Sequence, residues 1–367
     1  METTAARTLQ HFPCAQCGAD LAFAPGTDRL VCPYCGAENE VAPMEGTVAE
    51  RDFRAELAAL AGQHETIEAI TAKCTNCGAE TTLPPNVTAD FCAFCGAPLV
   101  LQGASTRLMK PEGVLPFKIT EAEAKEAFRK WIAGLWFAPN ALKAQAKTQG
   151  RLAGLYIPHW TFDARTETGY TGRRGEWYYT TETYTTTENG KPVTRTRQVR
   201  HTRWYPASGH VTNTFDDLLV TASTTLPEVW RPKITPEEWP ALVPYRDDYL
   251  AGFRTEHYTV ELEQGFEIAQ GLMQPAIDTS IRHDIGGDEQ QILHKATTYE
   301  DVTFKHILIP VWLATYRFKE KPYRFAINAR TGEVHGERPW SAVKIALTVL
   351  AVLLIIVGIA VLAQGSR

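Results

Sequence analysis

The segment CAQCGAD, residues 14–20, is repeated as CTNCGAE at residues 74–80. Each copy is followed by a further Cys-x-x-Cys-Gly, and fourteen residues separate the two cysteine pairs of each half. All eight cysteines of the 367-residue chain lie in these pairs. They are Cys14 with Cys17, Cys32 with Cys35, Cys74 with Cys77, and Cys92 with Cys95. The sequence therefore contains one small cysteine-rich unit twice.

The cysteine spacing is typical of a tetrahedral metal site. Two thiolates face one ion only if the chain turns tightly between them, and the residue after the second cysteine then favours a positive φ. Glycine stands there in every pair, at Gly18, Gly36, Gly78 and Gly96. We therefore predict two four-cysteine zinc ribbons, at residues 11–45 and 73–104, with one Zn²⁺ each. Because each unit is too short to fold by apolar burial alone, the metal would supply the missing free energy.

Two other uses of the cysteines are open. Disulfides need an oxidising compartment, and the N-terminal METTAARTLQHF lacks the apolar segment of an export signal. An iron–sulfur cluster is the second alternative. Two regular cysteine sets with a glycine behind every pair favour zinc over both.

Both ribbons are acidic. From residue 11 to 45 the one basic side chain, Arg29, stands against five acidic ones, and from 71 to 101 Lys73 stands against Glu80 and Asp90. Such surfaces repel a phosphate backbone. The ribbons are therefore predicted to be structural or to bind protein.

The rest of the chain is predicted to be a helical spacer at 46–72 and an α+β body at 105–340. Thr120 and Glu123 form a capping box that predicts a helix start, and the apolar spacing over 258–281 predicts a second helix before Gly286-Gly287. Two similar Pro-Trp segments, at 155–160 and 308–312, are predicted to be strands that anchor a tryptophan in the core. A proline inside a strand indicates an edge or a bulge.

Asn189-Gly190 is a strong hairpin signal. That turn places Glu188 opposite Lys191, Glu182 opposite Arg197, and Glu176 opposite Arg203. Opposite charges across a strand pair stabilise this register. Because both faces are largely polar, the hairpin at 176–205 is predicted to protrude into solvent. The basic run from Arg195 to Arg203 is read as the partner of an acidic strand, with a nucleic-acid patch as the alternative.

Residues 345–363 form the apolar segment IALTVLAVLLIIVGIAVLA, nineteen residues without a charge. As a helix it spans roughly 28 Å, the hydrocarbon thickness of a bilayer. We predict a single-pass, tail-anchored transmembrane helix, followed by QGSR. Two basic residues, Arg338 and Lys344, precede the span, and one, Arg367, follows it. Because the more basic flank of a membrane span usually faces the cytoplasm, this distribution favours a cytoplasmic body.

An enzyme active site is not indicated by the sequence. The chain contains no phosphate-binding loop, dinucleotide fingerprint, nucleophile elbow or H-E-x-x-H motif. With every cysteine assigned to metal, no thiol nucleophile remains. His159 and His306 flank the Pro-Trp segments, but a histidine in a strand more often serves packing. We predict no catalytic residues and no enzymatic activity, and a small-molecule pocket near His159 is the open alternative.

The chain resembles a known family in several features together. These are the paired ribbons, the Pro-Trp strands, the segments 243–262 and 306–344, and the terminal span. The chain is similar to bacterial membrane-anchored proteins with transcription-factor-IIB-type zinc ribbons, often labelled primosomal protein N′ (replication factor Y), a superfamily II helicase. The resemblance implies that all eight cysteines bind zinc at the inner face of the bacterial plasma membrane. It also implies partners such as flotillin-like (SPFH) and phage-shock-type (PspA) membrane-stress proteins. A helicase motor needs a phosphate loop and an acidic Mg²⁺ motif, and this sequence has neither.

The expected protein is therefore α+β, with two N-terminal four-cysteine zinc ribbons, a β-rich body with a long protruding hairpin, and a C-terminal transmembrane helix. Its expected function is that of a non-enzymatic scaffold or adaptor for protein partners, and a homo-oligomer is left open. The alternative is a membrane-tethered nucleic-acid-binding protein without helicase activity.

Overall fold

The computed structural model describes residues 7–8, 12–41, 46–60, 66–74, 80–82, 89–92, 94, 98–100, 104–145, 152–188, 190–227, 230, 238–319 and 321–365. The strands are β1 Arg7–Thr8, β2 Ala22–Phe23, β3 Arg29–Val31, β4 Glu38–Glu40, β5 Arg51–Asp52, β6 Thr66–Lys73, β7 Glu80–Thr82, β8 Ala89–Phe91, β9 Pro98–Val100, β10 Ala104–Met109, β11 Gly113–Val114, β12 Ala153–Glu188, β13 Lys191–Thr221, β14 Val243–Pro244, β15 Arg254–Thr255, β16 Glu289–Phe318, β17 Lys321–Asn328 and β18 Val334–Gly336. The helices are α1 Phe53–Leu60, α2 Glu121–Gly134, α3 Asn140–Gln145, α4 Leu262–Ile285 and α5 Ala342–Gly365. The protein is thus a strand-rich α+β fold with a C-terminal apolar helix.

A nine-stranded sheet, ordered β13-β12-β16-β11-β14 along its main path, forms the centre of the body. The two Pro-Trp segments lie side by side in β12 and β16, and Trp160 and Trp312 are buried as predicted. Pro158 and Pro310 lie in these central strands, not at the edge or bulge that the sequence suggested. Each proline lies where one neighbouring strand ends and the next begins: Pro158 between the residues paired with β15 and β13, and Pro310 between those paired with β11 and β17. The missing N–H therefore falls in a gap on one side of each strand.

Both predicted helices of the body are confirmed. α2 begins after Thr120, whose side chain accepts from Glu123 N while the Glu123 carboxylate accepts from Thr120 N. α4 buries one face against the sheet, where Gly265 lies directly over Trp160. It ends at Gly286, and Gly286 and Gly287 have φ values of 65° and 75°.

Among the described residues of the predicted helical spacer at 46–72, α1 is the helical part, and the helical prediction is wrong for residues 66–72. Residues 66–73 form β6, which pairs antiparallel with β10 and with β7. The β-branched residues of TIEAITAK favour a strand, since they lose χ1 freedom in a helix. β6, which lies in the predicted spacer, therefore pairs with β10. β10 itself begins at Ala104, so it crosses the predicted boundary between the second ribbon (73–104) and the body (105–340).

The first cysteine-rich unit packs on the body. β2, β3 and β4 form a small antiparallel sheet, and its apolar side chains share one core cluster with Phe117, Phe128 and Trp312. Phe23 N donates to Ala251 O at 2.9 Å, and Gly26 N donates to Phe117 O at the same distance. This unit is therefore built into the body's largest apolar core.

Beyond Gly175, the last β12 residue that pairs with β16, β12 and β13 continue together as two strands. Their pairs are Glu176 with Arg203, Glu182 with Arg197, and Glu188 with Lys191. This is the register that the Asn189-Gly190 turn predicts, although Asn189 itself lies outside the described residues. Most side chains of this two-stranded segment are exposed.

α5 is long enough and apolar enough to cross a membrane. Within it, the window Ala342–Ile359 has no residue buried inside the protein. The hydroxyl of Thr348 donates to Lys344 O at 2.8 Å, so this side chain is satisfied within the helix. The position agrees with the predicted span at 345–363.

Candidate metal centre and exposed hairpin surface

The first four cysteines converge on one point. The Sγ atoms of Cys14, Cys17, Cys32 and Cys35 all lie within 4.8 Å of one another. The separation is 3.5 Å between Cys14 and Cys35, and also between Cys17 and Cys32. A tetrahedral zinc site with Zn–S bonds of about 2.3 Å places its sulfurs about 3.8 Å apart. Because all four are free thiols, the group could hold one metal ion.

The two cysteine turns of this unit have the same backbone geometry. Gly18 N donates to Cys14 O at 2.8 Å, and Gly36 N donates to Cys32 O at 3.0 Å. The φ values of Gly18 and Gly36 are 73° and 74°, a region that residues with a Cβ rarely adopt. The sequence prediction of a positive φ is confirmed at both positions.

Backbone N–H groups inside these turns favour thiolates. The N–H groups of Cys35 and Tyr34 lower the pKa of Cys32 to about 6, and those of Gln16 and Cys17 lower the pKa of Cys14. The N–H of Ala37 acts in the same direction on Cys35, but hydrogen bonds with Cys14 and Cys32 outweigh it and raise the Cys35 pKa to about 12. These N–H groups therefore favour the thiolate form at the buried cysteine of each pair. A cation among the four sulfurs would favour the thiolate at the other two.

The second predicted ligand set is described only in part. Cys74 and Cys92 are buried in a cluster with Leu155, Trp230 and Leu313. Cys77 and Cys95 lie outside the described residues, as do Gly78 and Gly96. The two buried cysteines thus pack on β12 and β16, whereas the first unit packs in a different core cluster with Phe117.

The surface of the first unit is acidic and has an aromatic tip. Arg29, its basic side chain, forms a salt bridge with Glu38 at 2.6 Å. Tyr34, between Cys32 and Cys35, is 83% exposed. Sequence reasoning did not single out Tyr34, although its place inside the Cys32–Cys35 turn could have indicated its exposure.

The histidines beside the Pro-Trp segments do not join the cysteines. His159 is fully buried, with Nδ1 3.0 Å from Ile157 O. His306 is buried against Trp160, and burial lowers its pKa to about 3, so it stays neutral. In the part of the chain that the structure describes, the four N-terminal cysteines are the one group of three or more potential metal ligands brought together.

Aromatic and guanidinium groups alternate along the two-stranded segment of β12 and β13. Arg200 lies over the ring of Trp177 at 4.2 Å, Arg203 over Tyr178 at 5.1 Å, and Arg197 over Tyr184 at 5.6 Å. The three aromatic side chains remain 38–41% exposed. Tyr178, Tyr184, Arg197 and Arg203 lie on one face of this segment, and Trp177 and Arg200 lie on the other. We call the face with Tyr178 and Tyr184 the hairpin surface. Sequence reasoning placed its charge pairs but not these stacks.

The chain is 27% identical over 337 residues to the uncharacterized protein YdjG of Bacillus subtilis (strain 168). The alignment covers 91% of this chain and 92% of that protein. No family model and no solved structure matches the chain.

Proposed function

We propose that this protein is a non-enzymatic, membrane-anchored zinc-ribbon adaptor that binds protein partners through its hairpin surface. In this proposal α5 crosses a bacterial plasma membrane once, with the body in the cytoplasm. Each cysteine-rich unit holds one Zn²⁺, and the family resemblance to transcription-factor-IIB-type ribbon proteins applies. The partners are then proteins of the SPFH or PspA membrane-stress type.

The observation that carries partner binding is the stacking of arginines on exposed aromatic rings. Trp, Tyr and Arg supply most of the binding energy in protein interfaces. Stacking on a partner strand holds each ring and guanidinium in place before binding, which reduces the entropy lost on association. The Tyr178–Arg203 and Tyr184–Arg197 pairs recur on one face of the two strands, so they offer two prepared contacts side by side.

Zinc is supported by the donor set. Four thiols in two tight turns, with sulfurs 3.5 Å apart across the turns, suit a tetrahedral, thiolate-binding ion. Since the first unit contributes to the body's core, its metal is structural in this proposal. A structural ion also explains why the site needs no open coordination position.

The test is crosslinking of the full-length protein in its native membrane, followed by quantitative mass spectrometry. Tyr178→Thr with Tyr184→Thr removes two stacked rings but keeps residues that favour strands. We expect recovery of the crosslinked partner to fall at least tenfold. The matched control is Thr181→Ala with Thr185→Ala, on the opposite face of the hairpin. Unchanged recovery with the tyrosine variant would refute hairpin-mediated binding.

Point variants are preferable to deletion of residues 1–104. Phe23 and Cys32 lie in one core cluster and Cys74 in another. Deletion would therefore expose apolar surface on the body, and a lost partner would then report unfolding instead of a lost contact.

A second candidate function is nucleic-acid binding by the same surface. Interleaved arginines and aromatic rings are also a platform on which single-stranded bases stack. The carboxylates of Glu176 and Glu182, opposite Arg203 and Arg197, weaken this candidate because they repel phosphates. Filter binding to single-stranded DNA at about 50 and 200 mM salt decides it, since phosphate contacts require a steep loss of affinity. Binding that is absent at the lower salt concentration would exclude this candidate.

A further inference from the structure

The start of α5 is fixed to the body by one lysine. Lys344 Nζ donates to Trp136 O at 3.0 Å, to Ala138 O at 2.8 Å and to Asn140 Oδ1 at 2.7 Å. The three acceptors lie in residues 136–140, the segment that joins α2 to the first residue of α3. Ser341 N also donates to Phe137 O at 2.8 Å. The helix therefore leaves the body from a defined point.

The segment that accepts from Lys344 is anchored in the core at two positions. Leu135 and Ala138 lie in the main core cluster, with exposed fractions of 5% and 1%. Between them Trp136 projects outward and is 73% exposed. Taken alone, one exposed indole on a surface is ordinary, so its significance depends on its neighbours.

A second exposed tryptophan, Trp340, lies at the end of the chain segment that leads into α5. Its ring is 58% exposed, and the Arg338 guanidinium lies over it at 4.4 Å. The Phe137 and Trp340 ring centroids are 6.4 Å apart, which brings the two exposed tryptophans to the same junction. We call Trp136, Arg338, Trp340 and Lys344 the aromatic collar.

The apolar surface of α5 begins directly after this collar and is unburied. Indole rings favour the headgroup level of a bilayer, and arginine and lysine at that level contact lipid phosphates. A collar continuous with an unburied apolar helix has the composition of a membrane–water boundary.

We propose that the aromatic collar is a lipid-interface docking surface, which seats the folded body on the headgroup layer of the bilayer that α5 enters. It rests on the proposed membrane anchoring. The ligand class is a phospholipid surface, with the indoles of Trp136 and Trp340 at the acyl boundary and Arg338 at the phosphates. Since Lys344 joins α5 to the same segment, docking would hold the body in one orientation above the membrane.

The test uses the full-length protein reconstituted in phosphatidylcholine vesicles that carry bromine near the headgroup end of the acyl chains. Bromine quenches only tryptophans close to the interface. We expect Trp136→Phe and Trp340→Phe each to remove roughly half of the quenchable emission, because most other tryptophans lie in the folded body. The matched control is Trp177→Phe, an exposed tryptophan on the other face of the hairpin, which should lower emission but leave the quenched part unchanged.

Flotation after an alkaline wash, on the same samples, separates the two proposals. A chain that floats but keeps its full quenching without Trp136 and Trp340 refutes the collar and leaves the anchor intact. A chain that does not float refutes the anchor, and the collar with it. Repeating the measurement with about a third phosphatidylglycerol identifies the source of attraction. Equal quenching in the two kinds of vesicle would mean that the indoles alone hold the collar at the interface. Stronger quenching in the anionic vesicles would mean that the charge of Arg338 contributes as well.

Discussion

Glu256 is a buried carboxyl group whose protonation state controls its contribution to stability. Its side chain accepts from Ser223 Oγ at 2.6 Å, and burial raises its pKa from 4.5 to about 7. Between these values the unfolded chain is ionised at Glu256 while the folded chain still binds the proton. Stability therefore falls as pH rises from about 4.5 to 7, by about 3 kcal/mol in all.

His306 gives the opposite slope. Burial lowers its pKa from 6.5 to about 3, so the unfolded chain binds a proton that the folded chain does not. Its contribution to stability is lost as pH falls through that window. Because the two windows overlap, the pH profile of the parent protein alone does not isolate Glu256.

The variant Glu256→Gln separates the contribution of Glu256 to the pH dependence from that of His306. The amide removes the ionisation but keeps an oxygen that accepts from Ser223, so we expect the variant to be more stable than the parent at pH 8 by about 2–3 kcal/mol. The advantage should shrink as pH falls towards 4.5. Thermal unfolding of both detergent-solubilised proteins at several pH values measures it. A difference that is the same at pH 5 and pH 8 would contradict the assigned pKa.

At the scale of single elements, α4 offers two glycines with opposite expected effects. A Cβ on Gly265 would lie 2.6 Å from Trp160 Cδ1, whereas a Cβ on Gly271 would meet nothing within 4 Å. Trp160 is fully buried and its indole donates to Val260 O at 2.9 Å, so it has little room to move.

We expect Gly271→Ala to stabilise the protein by about 1 kcal/mol, because alanine favours a helix over glycine. Gly265→Ala gains the same propensity but overpacks the core, which costs about 1–3 kcal/mol or more, so its net effect should be destabilising. Melting temperatures of the two variants, compared with the parent, measure the contrast. Stabilisation by both would mean that α4 does not pack on Trp160 as closely as described.

The elements that sequence predicted correctly are those set by local chemistry. The capping box at Thr120, the glycine turn at 286–287 and the register across the hairpin each depend on residues close in sequence. The strand at 66–73 was missed because its apolar residues, Ile67 and Ile70, fit a helical spacing as well as a strand. Its identity is decided by β10, more than thirty residues later, and that pairing has no local signal.

At the scale of the whole molecule, the candidate metal centre was predictable and its position was not. The ligands Cys14, Cys17, Cys32 and Cys35 follow from spacing alone. Phe23 packs edge-to-face on Tyr249, with ring centroids 5.3 Å apart. These two residues are more than two hundred positions apart in the sequence, so their contact has no local signal. The sequence therefore left the placement of this unit open, and the structure packs it into the body's core.

This placement links the proposed metal to the stability of the body. The core cluster contains Cys14 and Cys32 of the ligand set together with Phe117, Phe128 and Trp312 of the body. Structural zinc contributes on the order of 10 kcal/mol to folding of small metal-bound units. Loss of the ion should therefore loosen Phe23 and Leu30 and expose the body surface that they cover.

We expect Cys32→Ser to lower the zinc content by one ion per chain and to lower the melting temperature of the body, and a strong chelator to do the same to the parent protein. Tyr34→Ala is the matched control, because it changes the exposed residue between Cys32 and Cys35 without touching a sulfur. Elemental analysis, thermal unfolding and hydrogen exchange across β12 and β16 measure the three effects. If zinc leaves and both the melting temperature and the exchange of the body stay unchanged, the ribbon is an independent unit. If the purified parent protein contains no zinc, the metal assignment itself is wrong.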